Sequence, residues 1–494
     1  MAAAVTKQKL SAAKFAVLGG GVSGLTAAYR LLNRVKDPSN IIVLESSNRV
    51  GGWVQSCVTE QGAVFELGPR SIRPVGKAGM ATLKMVQDIG LEKRILAVPR
   101  SHPAAKSRFI YSRGKLHELP TGIMSLIKRQ PLFSKSLLPL ILREPFVGRK
   151  QDDVDESVYD FFKRRMSVEV AEYLSDPLCR GIFAGDTRLL SLKSCFPSVY
   201  QYENQHGSIL KGAFLTKEAP DTSVLSPLAT LAEKERWSTW SIEGGMQTVT
   251  DKLHDILKQQ GVSVKMNAPC TSLSMTSDGK LTVHSVNDQI TVDHVISCIP
   301  AQCLANIVPL DWKPLADELS NIHTTTVGVV NLEYEGSVVP VEGFGYLVPS
   351  SDETQVLGVI FDSCAFPEND RHHGGKTTRI TVMMGGHWFN SLFGDPDSVD
   401  PNHLQNVAIE TAEKTLGIRT KPTSCLTSIL RDCITQYTLG HSDRIKNIFD
   451  FIESRKLPLT LIGASYNGVS VNDCIYNAQQ AVDRILESRD EIPR

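Results

Sequence analysis

Phe15-Ala-Val-Leu-Gly-Gly-Gly-Val-Ser-Gly24 decides the fold. A short apolar run ends in three consecutive glycines, which suits a buried strand entering a tight turn. From Val22 to about Arg34, Leu25, Ala28, Leu31 and Leu32 recur at helical spacing. Pro38-Ser39-Asn40 breaks that helix, and Ile41-Ile-Val-Leu44 is a second buried strand. Together they form a β-turn-α-β unit, the start of a parallel α/β sheet. Gly19-x-Gly21-x-x-Gly24 fits the dinucleotide fingerprint. Gly19 allows the turn, Gly21 lets a pyrophosphate approach the backbone, and Gly24 permits close helix–strand packing. The helix presents free N–H groups and its positive dipole end to the phosphates. Glu45 ends the second strand, 21 residues after Gly24, where a carboxylate accepts ribose hydroxyls and disfavours a 2′-phosphate.

Outward from this unit the chain remains α/β. A helix is expected over Met246 to Lys258. Thr271 to Met275, Leu281 to Val286 and Ile290 to Val292 form a β-meander around a Ser-Asp-Gly turn. Asp293 to Pro300 holds a further buried strand, and a mixed, sheet-rich stretch runs to about Gln436. Leu457 to Gly463 and then Asn472 to Ser488 give a closing strand, loop and helix. A helical reading runs from Val158 to Leu178.

The 494 residues suggest about three domains. Apolar residues make up 41% and charged residues 21%, enough to bury sizeable cores. Fifty-three bases balance fifty-three acids, so no overall field favours nucleic acid, and no nucleic-acid partner is expected. Mean hydropathy is −0.10, and no apolar run is long enough for a spanning helix. The charge is unevenly placed, however. Lys84 to Lys150 holds fourteen bases against four acids, interleaved with Leu and Ile. Ten cysteines include no C-x-x-C pair, so they read as reduced thiols and no metal is expected. Met1 to Lys14 is basic and acid-poor but lacks a secretory core. It reads as a tail, with a mitochondrial address as the alternative.

After Glu45 comes Ser46-Ser-Asn-Arg49-Val-Gly51-Gly52-Trp53. This Arg-x-Gly-Gly element resembles the flavin amine oxidase superfamily. Three further strings resemble its animal-type porphyrinogen-oxidising branch: Phe65-Glu-Leu-Gly-Pro-Arg-Ser71, Ser175-Asp-Pro-Leu-Cys-Arg-Gly-Ile-Phe-Ala-Gly185 and Gly463-Ala-Ser-Tyr-Asn-Gly-Val-Ser-Val-Asn-Asp473. Tyr437-Thr-Leu-Gly-His441 and Gly343-Phe-Gly-Tyr-Leu-Val-Pro349 also match, and the resemblance runs from Lys14 to about Ile485.

The resemblance implies non-covalent FAD. Gly19, Gly20, Gly21, Val22, Ser23 and Gly24 would hold the pyrophosphate, and Glu45 and Ser46 the adenosine ribose. Arg49 and Gly52 would add contacts near the pyrophosphate and flavin. Trp53, Gly68, Pro69, Arg70 and Ser71 would border the ribityl and flavin region. Cys270 would meet adenine through its backbone, and Ala464, Val469, Ser470 and Val471 would lie at the flavin pyrimidine edge. Core packing of Trp53 and a structural salt bridge at Arg70 are the plainer alternatives. The implied substrate is protoporphyrinogen IX, oxidised to protoporphyrin IX in three rounds of hydride removal, with O2 as acceptor and H2O2 as product. Flavin carries that chemistry, so no catalytic side chain is expected. Leu347, Ile360 and Met383 would sandwich the rings, and the Gly345 backbone would orient pyrrole N–H groups. The matching relatives place a propionate-binding Arg directly after the valine matching Val98. Here Pro99 intervenes, and Arg100 takes the role.

The architecture implied is a discontinuous Rossmann-like FAD-binding domain (14–86, 237–301, 440–490), a helical membrane-binding domain (87–210) and a mixed-sheet substrate domain (211–236, 302–439). A homodimer, peripheral or monotopic on the mitochondrial inner membrane, is the family expectation. Two alternatives stand beside it: another oxidase of this fold acting on amines or carotenoids, and a non-catalytic lipid-binding module such as the GDP-dissociation inhibitors.

Overall fold

The computed structural model describes residues 13–120, 122–150, 154–216, 225–286, 288–371 and 375–490. The stretch read as a tail or address lies almost wholly outside them.

Phe15–Leu18 is fully buried and sits at the centre of a five-stranded parallel sheet. The order is Leu459–Leu461, His294–Ser297, Phe15–Leu18, Ile41–Leu44 and Ser263–Lys265. One strand in this sheet therefore comes from near the C-terminus and two from the middle of the chain. Val22–Leu32 is the helix expected after the glycine turn, and it packs against Val471–Asp490 and Gln247–Gln259. The close approach at the turn explains Gly24. A Cβ there would stand 1.9 Å from the Gly19 carbonyl oxygen, so no side chain fits without displacing helix or strand. The meander is present as Cys270–Met275, Leu281–Ser285 and Gln289–Val292.

A second sheet of seven strands carries the rest of the architecture. Its order is Ser424–Thr435, Thr324–Glu335, Thr377–Gly386, Val356–Ile360, Gly345–Leu347, Phe109–Ser112 and Lys115–Glu118. One face holds Val330, Tyr346, Val359 and Val382 and is buried under Leu404, Ala408, Ala412 and Leu416 of the helix Pro401–Leu416. That covering leaves the other face to meet the parallel-sheet unit.

One sequence expectation changes here. The stretch 87–210 is not helical from its start. Ile95–Pro99 pairs with Trp237–Ile242, and Phe109–Ser112 with Lys115–Glu118 forms a hairpin on the edge of the second sheet. Arg113 and Gly114 both have positive φ, the backbone a two-residue hairpin turn requires. Local helix-compatible composition was overruled by edge pairing. Helices then dominate: Val158–Arg165, a π-helical turn Ala171–Ser175, Asp176–Phe183, Pro197–His206 and Ile209–Leu215. Among the described residues no helix is long and apolar enough to cross a membrane.

Because the Gly24 contact is with backbone, Gly24→Ala should cost about 3 kcal/mol of stability. A thermal melt indistinguishable from wild type would show that the turn can relax.

Candidate functional site

Four of the five parallel strands send their carboxyl ends to one place, the usual location of a ligand in an open α/β sheet. Leu18 leads into Gly19, whose amide donates to the Leu44 carbonyl at 2.8 Å. Leu44 leads into Glu45, whose buried carboxylate accepts the Gly20 amide at 2.7 Å and the Ser47 amide and hydroxyl at 2.8 Å each. Ser297 leads into Cys298 and Ile299, against which Gly19 rests. Leu461 leads through Ile462 to Gly463, beside Cys298 and Ser23.

The glycine loop is bare by construction. Gly21 bridges Gly51, and a Cβ on Gly52 would lie 3.2 Å from the Gly21 Cα. The helix that starts at Val22 has no acid in its own first turn to occupy its orphan amides. Arg49 turns inward. Its Nη1 donates to the Val50 carbonyl at 3.0 Å and its Nη2 to the Gly52 carbonyl, so it shapes the loop rather than reaching outward. Burial holds this guanidinium below its ordinary range, ahead of the opposing pull of Glu45. Ser46 is exposed at the end of the strand. Trp53 is 41% exposed, which removes core packing as its explanation. Its carbonyl oxygen would lie 1.8 Å from a Cβ on Gly68, so the two loops touch through bare backbone. Cys270 starts the meander; the preceding chain crosses this strand end, since Ala268 donates its amide to the Glu45 carbonyl at 2.8 Å. These residues fit an extended dinucleotide. Glycine backbone and free helix amides line one end, a carboxylate and hydroxyl stand at the ribose position, and an exposed indole follows.

The loop Gly68–Ser71 reaches the second sheet. Arg70 Nη1 donates to Asp362 Oδ1 at 2.9 Å, and both residues are buried. The alternative of a structural salt bridge is therefore what the Arg70 side chain does. Asp362 Oδ2 accepts from Thr381 Oγ1 at 2.7 Å, and the Asn331 side-chain amide lies 2.8 Å from the same hydroxyl. This chain lands on the open face of the second sheet. Register puts Gly345, Ile360 and Thr381 in one cross-strand row and Leu347, Gly358 and Met383 in the next. Paired residues share a face, so Gly345, Leu347, Ile360 and Met383 form one contiguous half-bare apolar patch. Gly345 is required there: its φ is +140°, and a Cβ would lie 2.2 Å from the Val359 carbonyl oxygen. The helix Asp176–Phe183 flanks the patch, with Gly181 against the Leu347 methyls.

The closing loop completes the enclosure. Ala464 accepts a hydrogen bond from the Tyr437 hydroxyl at 2.7 Å. Val469 packs against a core of Val158, Cys179, Phe183 and Leu190. Ser470 Oγ receives the Asp473 amide at 3.1 Å and so caps the helix that Val471 begins. Asn472 Nδ2 donates to the Arg73 carbonyl at 2.8 Å, which ties this loop to the one carrying Arg70.

Arg100 is exposed after Ile95–Pro99, and its amide bonds the Arg236 carbonyl at 2.9 Å. Sequence reasoning missed Arg108, which immediately precedes Phe109–Ser112, the strand paired with Tyr346 and Leu347. Surrounding protein on one side and the neighbouring Arg73 hold its guanidinium below the ordinary range, although the side chain reaches solvent. Among the described residues no ion pair is recorded for Arg73 or Arg108. Asp362 and Glu66 were also missed, since neither sits in a spacing that marks it.

Glu66 is buried and accepts from Ser56 Oγ at 2.6 Å and from the Met246 amide at 2.7 Å. Burial pushes its carboxyl up to about 7, against those bonds and the attraction of Arg70. Its folded value lies above the ordinary 4.5, so the native state holds this proton more tightly than the unfolded chain. Its contribution is present below the ordinary value and is lost as pH rises through the folded one.

A family model described as flavin containing amine oxidoreductase matches residues 22–486. A protoporphyrinogen oxidase from Bos taurus is 45% identical over 95% of this chain and 98% of its own length. One from Homo sapiens is 44% identical over the same shares. A solved bacterial structure from Exiguobacterium sp. 255-15 shares the fold, with a TM-score of 0.76 at 21% identity, covering 97% of this chain and 100% of its own.

Glu66→Gln should remove about 3 kcal/mol of stability change between pH 4.5 and pH 7. Urea unfolding at pH 5 and pH 8 reads this as a flatter profile for the variant. Parallel profiles for the two proteins would refute it.

Proposed function

The chain belongs to the flavin containing amine oxidoreductases and, within them, to the protoporphyrinogen oxidases; from that membership we infer that it oxidises protoporphyrinogen IX to protoporphyrin IX, a late step of heme biosynthesis. The observation that carries the reading is the Arg70–Asp362–Thr381 connection. It sets an apolar face able to hold a flexible, apolar tetrapyrrole beside the loops that fit a dinucleotide.

The cofactor is FAD, bound without a covalent link. When bound there it would supply the hydride-accepting centre for the substrate and the route of the electrons to O2, giving H2O2, in each of three rounds. The chain's residues orient and enclose. Gly19 to Gly24 hold the pyrophosphate with backbone amides, and Glu45 and Ser46 take the ribose. Arg49 and Gly52 shape the neighbouring loop, Cys270 borders the adenine, and Trp53 with Gly68 to Ser71 flanks the flavin, Arg70 by its backbone. The capped helix start at Val471 supplies positive potential at the pyrimidine edge, where charge develops on reduction. Leu347, Ile360 and Met383 exclude water from the rings, and the bare Gly345 backbone meets the pyrrole N–H groups. No side-chain nucleophile is needed. We place the propionate at Arg108 rather than Arg100, because Arg108 leads into the strand beside Leu347 and Arg73 adds a second positive charge.

The chain divides into an FAD domain (14–86, 237–301, 440–490), a membrane-binding domain (87–210, whose first strands join the other units) and a substrate domain (211–236, 302–439). Attachment to the mitochondrial inner membrane is peripheral or monotopic, and the enzyme is a homodimer. Leu142, Phe146 and, on the helix Ile209–Leu215 that runs on past residue 210, Phe214 and Leu215 support the membrane reading: all are exposed, the two phenylalanines at 85% each. They stand among Arg143, Arg149 and Lys211, which suits an anionic lipid surface.

Anaerobic mixing of the flavin-loaded protein with protoporphyrinogen should bleach the flavin, and admitting air should restore it and release porphyrin fluorescence. A loaded protein that does not bleach lacks this activity. In the same assay Arg108→Ala should raise KM about tenfold, the loss expected for a charged hydrogen bond, while Arg100→Ala leaves it near wild type; the reverse result returns the propionate to Arg100. In liposome flotation, Phe146→Ser with Phe214→Ser should abolish most binding to anionic vesicles. Equal flotation of variant and wild type would remove this surface from the membrane.

A further inference from the structure

Tyr437 and His441 lie outside the cofactor and substrate sets, yet together they partner three backbone groups of the closing loop. The Tyr437 hydroxyl donates to the Ala464 carbonyl at 2.7 Å and accepts from the Gly468 amide at 2.8 Å. One oxygen thus joins two points four residues apart. Between them, the Tyr466 carbonyl lies 3.1 Å from His441 Nε2. Burial pushes this imidazole down to about 4, so it is neutral at physiological pH, and Nε2 carries the proton that Tyr466 accepts. The phenol and imidazole rings stack at 4.1 Å with 18° between planes, and both residues are buried.

The other side of this stack faces the helical segment. The Tyr437 carbonyl accepts the Ser191 amide at 2.8 Å. Asp155 takes the Gly440 amide at 3.0 Å on one oxygen and the Ser191 hydroxyl at 2.9 Å on the other. Phe183 packs on the Tyr437 ring, and the Phe183 carbonyl accepts from Gln436 Nε2 at 2.7 Å. Phe183 ends the helix that flanks Leu347. The substrate-side helix and the closing loop are therefore held by one short segment, Gln436 to His441.

We propose that Tyr437 is a positioning residue for the oxidation: its hydroxyl clips Ala464 to Gly468 and so fixes the amides of Val469 to Val471 at the flavin pyrimidine edge. This rests on the reading that the closing loop borders the flavin. Loss of the hydroxyl leaves a part-buried carbonyl and a part-buried amide without that partner while the stacked ring remains. The loop should loosen, and the amides should lose their alignment with the charge that develops on the flavin.

The test uses full-length, flavin-loaded protein and Tyr437→Phe. Hydrogen–deuterium exchange in residues 464–471 should rise, and the flavin absorbance bands should shift. The anaerobic flavin reduction rate at saturating protoporphyrinogen should fall about tenfold with KM unchanged. His441→Ala, which keeps the hydroxyl, should loosen the same segment less. Exchange and absorbance of Tyr437→Phe matching wild type would overturn the clip, as would loosening by His441→Ala alone. A wild-type protein without flavin absorbance refutes the underlying cofactor reading instead, so the two failures are separable.

Discussion

The buried pair between Arg70 and Asp362 is the contact on which the rest of the site depends. It joins a loop of the parallel-sheet unit to the second sheet, 292 residues away in the chain. Two charges removed from water are costly. Asp362 has a further partner in the Thr381 hydroxyl, and the Arg70 backbone is held in place by Ser241 Oγ, which donates to its carbonyl at 2.8 Å. Removing one partner would strand the other charge, at about 3–5 kcal/mol. Such a pair is weak as a source of net stability and strong as a constraint on geometry. It leaves one relative placement in which the apolar patch and the dinucleotide loops meet.

A cofactor-dependent oxidation asks little of side-chain chemistry and much of placement. That explains why much of the surrounding polarity is structural. Glu45 organises the glycine turn through Gly20, Arg49 braces its own loop, and Glu66 holds the start of the Gln247–Gln259 helix through Met246. Glycine appears wherever backbone must approach backbone, as at Gly24 on Gly19 and Gly68 on Trp53. The same economy extends to the closing loop, where two aromatic side chains replace a regular hydrogen-bonded turn. A second buried ionic cluster, in which Arg165 donates to Glu144 and Glu203, ties the helices beneath the exposed phenylalanines. It gives that exposed apolar surface a rigid base.

The local elements were legible in the sequence because their signals are local. An apolar run before glycines, helical spacing after them and a carboxylate at the next strand end specify a β-turn-α-β unit within 30-odd residues. The meander and the closing strand–helix followed from alternation and length. The edge hairpin at Phe109–Glu118 was not anticipated, since four-residue strands carry little periodicity and take their identity from the sheet they join. The cofactor and substrate residues became nameable through motif resemblance, which transfers positions but not partners.

The sequence by itself determined the dinucleotide unit, the family and the apolar residues available for a substrate. It also determined that positive charge gathers in one apolar-rich segment of a neutral chain. Tertiary structure decided what those residues do together. It put Gly345, Leu347, Ile360 and Met383 in two adjacent rows on one face, paired Arg70 with Asp362, and set Arg108 at the start of the strand that pairs with Tyr346 and Leu347. The physical reason is range. Helical period and turn chemistry act over a few residues, whereas register, burial and charge pairing join segments hundreds of residues apart. Those relations come into being only when the sheets close on one another.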